Sequence, residues 1–257
     1  MKIRPFAISV LFIFLFTSAS FSSEFDRPWL DPSPALVLDA YGPNRLDLSE
    51  IKSDPRVVGI LHKATQGTSF KDTKYTSRRE AAKSADFLWG SYHLLTTEDI
   101  QTQVNVYLET VGIHADEVYS LDVECLAGPS GCANTKFKVT IEQVMSALLY
   151  FKSKTGHFPL IYANGSVTDR LAQELSSDPE FIDVRLWYAR FKGDISRHFP
   201  GSQWPSYTLW QFSSEINCKP APKACPYRVK GTSFDMDINV FPGDTATLRA
   251  AWPIDRK

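Results

Sequence analysis

The chain has 257 residues, with 28 Lys and Arg against 29 Asp and Glu and a formal charge of −1. Without a basic excess it cannot offer the positive surface that neutralises nucleic-acid phosphates, so a nucleic-acid partner is excluded. Strong adhesion to an anionic surface is excluded on the same ground.

The first element is a leader. Met1-Lys2-Ile3-Arg4 is basic, residues 5–16 are almost wholly apolar, and residues 17–23 are mostly small. That order reads as a secretory signal peptide over residues 1–22. A retained anchor is the rival reading, but the apolar run is short for a bilayer. Cleavage leaves a single domain, residues 23–257, of about 235 residues, a size that suits one α/β unit. Losing Lys2 and Arg4 takes the formal charge to about −3. A secreted or periplasmic protein is expected, monomeric and with no stable membrane anchor after cleavage.

Strand-like apolar runs then alternate with helix-like segments. Strands are predicted over 35–39 and 57–64, a helix over 75–84, a strand over 87–94 and a helix over 97–110. A strand over 117–124 follows, then a helix over 140–155. Thr140 heads that helix as a capping hydroxyl, with Glu142 and Gln143 in its first turn. A strand over 159–164 and a helix over 166–175 come next. Three more strands are predicted, over 184–189, 207–212 and 234–239, with little helical signal between them. Eight strands separated mainly by helices predict an α/β fold, a parallel TIM-like (β/α) barrel, irregular in its second half and with fewer than eight helices. Asp39, Glu124, Asn164, Gln211 and Asn239 end their runs, and strand ends form the active face of such barrels.

Four cysteines fall into two close pairs, Cys125 with Cys132 and Cys218 with Cys225. In an exported chain they are disulfide candidates. Three connectivities are possible, and the two local ones are favoured because turn-rich segments separate each pair. Zinc ligation is disfavoured, since neither spacing is the usual two to four residues.

Asp122 and Glu124 carry the most chemical information. They end an apolar run two residues apart, so both point to one face of a strand, with Cα atoms roughly 6–7 Å apart. Two carboxylates in a poorly solvated cleft cannot both ionise freely, and one keeps its proton to higher pH. A protonated acid beside an ionised one is what glycoside hydrolysis requires. A strand-end pair that only bonds loop amides is the bland alternative.

A set of short blocks then points to a family. They are Leu36-Val37-Leu38-Asp39-Ala40-Tyr41, Gly59-Ile60-Leu61-His62-Lys63-Ala64-Thr65-Gln66-Gly67, Gly90-Ser91-Tyr92-His93, Leu121-Asp122-Val123-Glu124 and Leu160-Ile161-Tyr162-Ala163-Asn164. Leu186-Trp187-Tyr188-Ala189, Leu209-Trp210-Gln211-Phe212-Ser213-Ser214 and Asp235-Met236-Asp237-Ile238-Asn239 complete the set. In this order they resemble glycoside hydrolase family 25, the Chalaropsis-type lysozymes. The resemblance implies an irregular β/α barrel that cleaves the β-1,4 bond between N-acetylmuramic acid and N-acetylglucosamine in peptidoglycan glycan strands. It implies Glu124 as general acid, Asp122 as its partner, and Asp39 and Asp237 as further acids facing the cleft. Asp237 is preferred to Asp235 because it stands in the Asp-x-Asn pattern with Asn239.

Tyr41, Tyr92, Tyr162, Trp187 and Trp210 lie in these blocks near strand ends, where aromatic faces suit the C–H face of a pyranose. Barrel core is the alternative for each. With Gln211 and Asn239 they are the expected substrate-binding residues. The five histidines show no metal-like spacing, and His62 and His93 are expected to be structural. No Gly-x-Ser-x-Gly elbow is present, and neither a metal nor a cofactor is expected. The chain departs from the family at three points: Gln66 stands for a usual carboxylate, Tyr41 for a small hydroxyl residue, and Leu94 for an aromatic. Two other readings remain: a wall-binding protein that has lost turnover, and a glycosidase acting on chitin or another N-acetylated polymer.

Overall fold

The structure, a computed structural model, describes residues 23–128, 133–218 and 225–256. The expected signal segment, residues 1–22, lies outside them, as does Cys132. In chain order the strands are β1 (Pro34–Ala40), β2 (Val57–Gln66), β3 (Phe70–Lys71), β4 (Leu88–Leu94), β5 (Val118–Val123), β6 (Cys125–Leu126), β7 (Lys138–Val139), β8 (Leu160–Asn164), β9 (Leu186–Ala189), β10 (Leu209–Ser213) and β11 (Asp237–Asp244). The helices are α1 (Leu48–Ile51), α2 (Tyr75–Ser84), α3 (Ile100–Val111), α4 (Ile141–Thr155), α5 (Gly165–Ser176), α6 (Glu215–Cys218) and α7 (Thr245–Ala251). The expected barrel with fewer than eight helices is present, counted over the described residues.

Eight strands close on themselves in the order β1, β2, β4, β5, β8, β9, β10, β11. One expectation is corrected: the barrel is not wholly parallel. Strand β11 runs antiparallel to both β10 and β1. A parallel neighbour needs a long crossover that returns the chain to the far end of the sheet. Among the described residues only the four-residue α6 lies between β10 and β11. The chain therefore enters β11 from the end where β10 stops, and the first residue of β11, Asp237, sits at the mouth opposite Asp39.

Alternation along the strands separates two apolar layers. Ala35, Val37, Leu61, Val118, Leu160, Trp187 and Leu209 fill the barrel interior. Leu36, Leu38, Ile60, Tyr119, Leu121, Ile161, Trp210 and Phe212 belong to the core between barrel and helices. Parallel strands buried on both faces require such near-continuous apolar runs, and each large side chain fully buried adds about 1.5–3 kcal/mol of apolar transfer. Gly90 is needed where the interior is tight: a Cβ there would fall 2.2 Å from Leu61 Cδ2 and 3.0 Å from Val118 Cβ.

Helix α4 begins with the expected capping box, Thr140 and Gln143 bonding each other's backbone N–H, and stops at Gly156 in the left-handed region. Helix α5 follows β8 without a linker because Asn164 serves as its N-cap, accepting from Val167 N at 3.3 Å. Cys218 and Cys225 are bonded to each other, one of the two local pairings expected. Cys125 is also disulfide-bonded.

Candidate active site

At the barrel mouth a pocket of about 70 Å³ is lined by Asp39, Tyr92, Asp122, Glu124, Tyr162, Trp187 and Asp237. All four acids singled out from the sequence meet there, contributed by β1, β5, the residue after β5, and β11. Asp235 does not line it; it acts on Asp237 by repulsion. Asp122 is buried within β5, whereas Glu124 is exposed just past the strand end. The backbone of Glu124 is held by Asn164, whose Nδ2 donates to Glu124 O at 3.0 Å. The cap of α5 thus also fixes the peptide that carries the acid.

All four carboxyls are pushed towards their protonated forms. Burial is the largest cause for Asp39, raised to about 8, with the Glu124 charge adding to it. Asp237 is raised to about 9 by burial, then by Asp39, Glu215 and Asp235. Asp122 is raised well above the usual range by burial and Glu124. Glu124, although it reaches solvent, is raised by the protein atoms around its carboxyl, with Glu215 of α6 contributing repulsion. Neighbouring acids that disfavour one another's ionisation titrate as a set. One oxygen each of Asp122 and Asp237, Oδ1 in both cases, is buried without a hydrogen-bond partner. Such orphaned acceptors are costly unless something else binds them.

A cation missed by the sequence reading tempers this cluster. Lys63 on β2 lowers the pKa of Asp39, Asp122 and Glu124, while burial lowers its own. Its ammonium donates to Gln66 Oε1 at 2.7 Å. Because residue 66 is an amide, it does not neutralise the lysine, whose charge serves the acids instead. The signal was available: Lys63 shares the inward parity of Leu61 on an otherwise apolar strand.

The aromatic residues divide. Tyr92, Tyr162 and Trp187 make one wall of the pocket, with Trp187 edge-on to both tyrosines at centroid distances of 5.8 and 4.8 Å. Tyr92 hydrogen-bonds to Asp39. Tyr162 donates to Gln211 Oε1 at 2.8 Å, and Gln211 Nε2 donates to Asp39 Oδ2 at 2.9 Å. Gln211 therefore orients an acid from behind the pocket. Asn239 is fully buried, accepting from Trp187 Nε1 and donating to Val37 O, so its amide ties three strands together below the site.

Trp210 and Tyr41 do not join the pocket. Trp210 is fully buried on the outer face of β10, edge-on to Trp29 at 5.2 Å and donating to Arg190 O at 2.7 Å. The side chain of its neighbour Gln211 points inward, so Trp210 must point outward. Tyr41 is exposed and lines a separate groove beside the mouth. The two histidines are structural as expected: His62 contacts Lys63 O and Arg78, and His93 contacts Thr65 Oγ1 at 2.7 Å. Burial lowers both to about 4, which keeps them neutral.

Known proteins share this chain's sequence pattern and fold. The chain is similar to the N,O-diacetylmuramidase of Arthroderma benhamiae, 26% identical over 157 residues, covering 59% of this chain and 65% of that protein. It is similar to the autolytic lysozyme of Clostridium acetobutylicum, 27% identical over 172 residues, covering 65% and 49% respectively. The match thus spans just under two thirds of the first relative's length and about half of the second's. In fold it is similar to the bacterial lysozyme of Streptomyces coelicolor, with a TM-score of 0.68 at 22% identity, covering 88% of this chain and all of that one. The signature of Glycosyl hydrolases family 25 matches residues 44–220, which include Asp122 and Glu124. With more than half its length matched, this chain belongs to glycosyl hydrolase family 25.

Proposed function

We propose that the chain is a muramidase that hydrolyses the β-1,4 bond between N-acetylmuramic acid and N-acetylglucosamine in peptidoglycan. The observation that carries this reading is the closed set of four carboxyls around one small pocket, two of them with unpartnered oxygens. Buried Glu117 also has one open oxygen, but it has two cations to itself, whereas three of these acids share Lys63.

Glu124 is assigned as general acid. It is the exposed member of the set, its raised pKa keeps a proton available, and its backbone is fixed by Asn164. Proton delivery to the bridging oxygen lets the leaving sugar depart as an alcohol. The oxocarbenium-like centre then needs stabilisation from the opposite side. Asp122 is assigned the task of holding the substrate's 2-acetamido group so that its carbonyl oxygen supplies that stabilisation. It stands two residues from Glu124 and lines the same pocket, so both carboxyls face one bound sugar. Asp39, held by Tyr92 and Gln211, and Asp237 complete the acidic wall, and water ends the reaction by giving a new reducing end on muramic acid. A pocket of about 70 Å³ accommodates the reacting atoms, so the glycan lies across the mouth.

All four acids come from one chain, so a monomer suffices. The substrate places the work in the cell wall, outside the cytoplasmic membrane, consistent with the leader expected over residues 1–22. Among the described residues no helix is long and apolar enough to cross a membrane.

Mass spectrometry of products from purified sacculi tests the reading. Disaccharide fragments with reducing muramic acid are expected. Binding to sacculi without new reducing ends would identify a wall-binding protein instead. Cleavage of chitin oligomers in preference to sacculi would assign a different N-acetylated polymer.

A further inference from the structure

Beside the acidic pocket lies a second, wider groove of about 580 Å³ that the hydrolytic assignment leaves unused. It follows the ends of β1 and β2 and is closed on one side by β3, which folds back antiparallel along β2, pairing Thr65 with Lys71 and Gln66 with Phe70. Its walls carry two exposed aromatic rings, Tyr41 at 45% and Phe70 at 46% exposure. Lys63, Lys71 and Lys74 line it together with a single carboxylate, Asp72. Asp72 is committed internally, accepting from Gly42 N at 2.7 Å and from Lys74 N at 2.9 Å. Lys71 and Lys74 are exposed, and among the described residues neither has an ion-pair partner. Lys63 stands 5.4 Å from the Phe70 ring centroid and acts electrostatically on the catalytic acids, so groove and pocket adjoin across it.

We propose that this groove binds the acidic peptide stem carried by the muramic acid of the substrate, its carboxylates meeting Lys71 and Lys74 and its aliphatic parts lying on Tyr41 and Phe70. The inference rests on the muramidase reading. Charge selects the occupant. In stem-bearing strands the N-acetylated sugars are neutral, the lactyl carboxyl of muramic acid being tied up as an amide, and make no use of two unpaired lysines, whereas the stem offers several carboxylates on the sugar that must be recognised. The four acids next door, held towards their protonated forms, offer those carboxylates no counter-charge, and the lysines attract them. The two sites together thus orient the substrate with its neutral bond over the acids and its charged branch over the lysines.

The test compares two substrates: glycan strands bearing their stems, and the same strands stripped of stems by an amidase, which leaves only the single lactyl carboxylate on each muramic acid. The wild-type protein is expected to cleave the stem-bearing strands with kcat/KM about five-fold higher, the order that two exposed ion pairs supply. The preference should shrink at about 0.5 M salt, where exposed pairs are screened. In the Lys71→Ala/Lys74→Ala variant the ratio should fall to near one. A wild-type ratio near one, or a variant that loses rate equally on both substrates, would overturn the proposal; the second result would mark a sugar subsite. Titration of the free stem tetrapeptide, followed by NMR, is read without turnover. Weak binding to the wild type that the double variant loses supports the stem site even if no strand is cleaved, a result that would count against the muramidase reading alone. Absence of binding, or tighter binding of a glycerol phosphate oligomer at the same place, would overturn it.

Discussion

Strand β5 carries buried acids at both ends, and they are treated oppositely. At its entrance Glu117, fully buried, receives Arg79 and Lys83 on Oε1 at 2.7 and 2.8 Å. Nearby, Asp255 from the chain's C-terminal end accepts from Tyr119 N at 3.0 Å and pairs with Arg256 at 3.2 Å. At the exit, Asp122 shares a single nearby lysine with Asp39 and Glu124, so the two ends differ in counter-charge, although one oxygen of each acid, Glu117 Oε2 and Asp122 Oδ1, has no hydrogen-bond partner. A buried carboxylate answered by cations is part of the scaffold. Carboxyls left short of counter-charge keep their protons to higher pH, and their instability is tolerated because the scaffold holds them.

This contrast can be broken at either end. The largest effect is expected from Glu124→Gln, which removes the transferable proton while keeping shape. Wall clearing should fall by about 10²–10⁴-fold, the range of general acid catalysis, with an unchanged melting temperature. Wild-type-like clearing would remove Glu124 from its role. At the other end, Glu117→Ala should leave kcat near normal and cost about 1–3 kcal/mol in denaturant unfolding, since Arg79 and Lys83 are partly solvated and lose only their partner. A loss of activity without a loss of stability would erase the distinction between the two ends.

Asp237→Asn sharpens the comparison through pH. The folded pKa of Asp237 is raised to about 9, so between the ordinary carboxylate range and that value the folded state holds a proton that the unfolded chain has released. Stability contributed by this group is therefore lost as pH rises through that window. The amide removes the dependence. At alkaline pH the variant should melt about 2–4 °C higher, the shift that ~1 kcal/mol gives a domain of this size, while losing activity. A lower melting temperature would contradict the raised pKa. The smallest effect is expected from Lys63→Met. Without the cation that favours their ionised forms, Asp39, Asp122 and Glu124 should titrate higher. The alkaline limb of the kcat/KM profile should move up by about half a unit to one unit; a downward move would contradict the assignment of Lys63.

Much of this was legible in the sequence because periodicity and parity are local. Each of the eight predicted strands overlaps a barrel strand, the helix over 75–84 matches α2, and the same-face placement of Asp122 and Glu124 follows from two-residue alternation. Strand direction was not legible, because an apolar run reads the same both ways. The reversal of β11 depends on what is missing between β10 and β11. It moved the mouth from the end of the predicted strand to its start, which explains why Asp237 lines the pocket while Asn239 is buried beneath it. Trp210 was misplaced for a different reason. Two adjacent residues of one strand cannot both face the cleft, and Gln211 held the inward position. Lys63 was passed over as part of a motif, although an ionisable residue at an inward position was itself the clue.

The central claim is that the mouth of the barrel holds its acids under-compensated. A carboxyl-carbon NMR titration of the folded protein, with Asp39→Asn and Asp237→Asn spectra for assignment, measures this most directly. The account predicts that Asp39 and Asp237 titrate far above the usual carboxylate range, near the values of about 8 and 9 given by their surroundings, and that their titrations are coupled. If every carboxyl at the mouth ionised below about pH 5, as solvated carboxylates do, the acids would be ordinary surface groups and the mechanism built on them would fall.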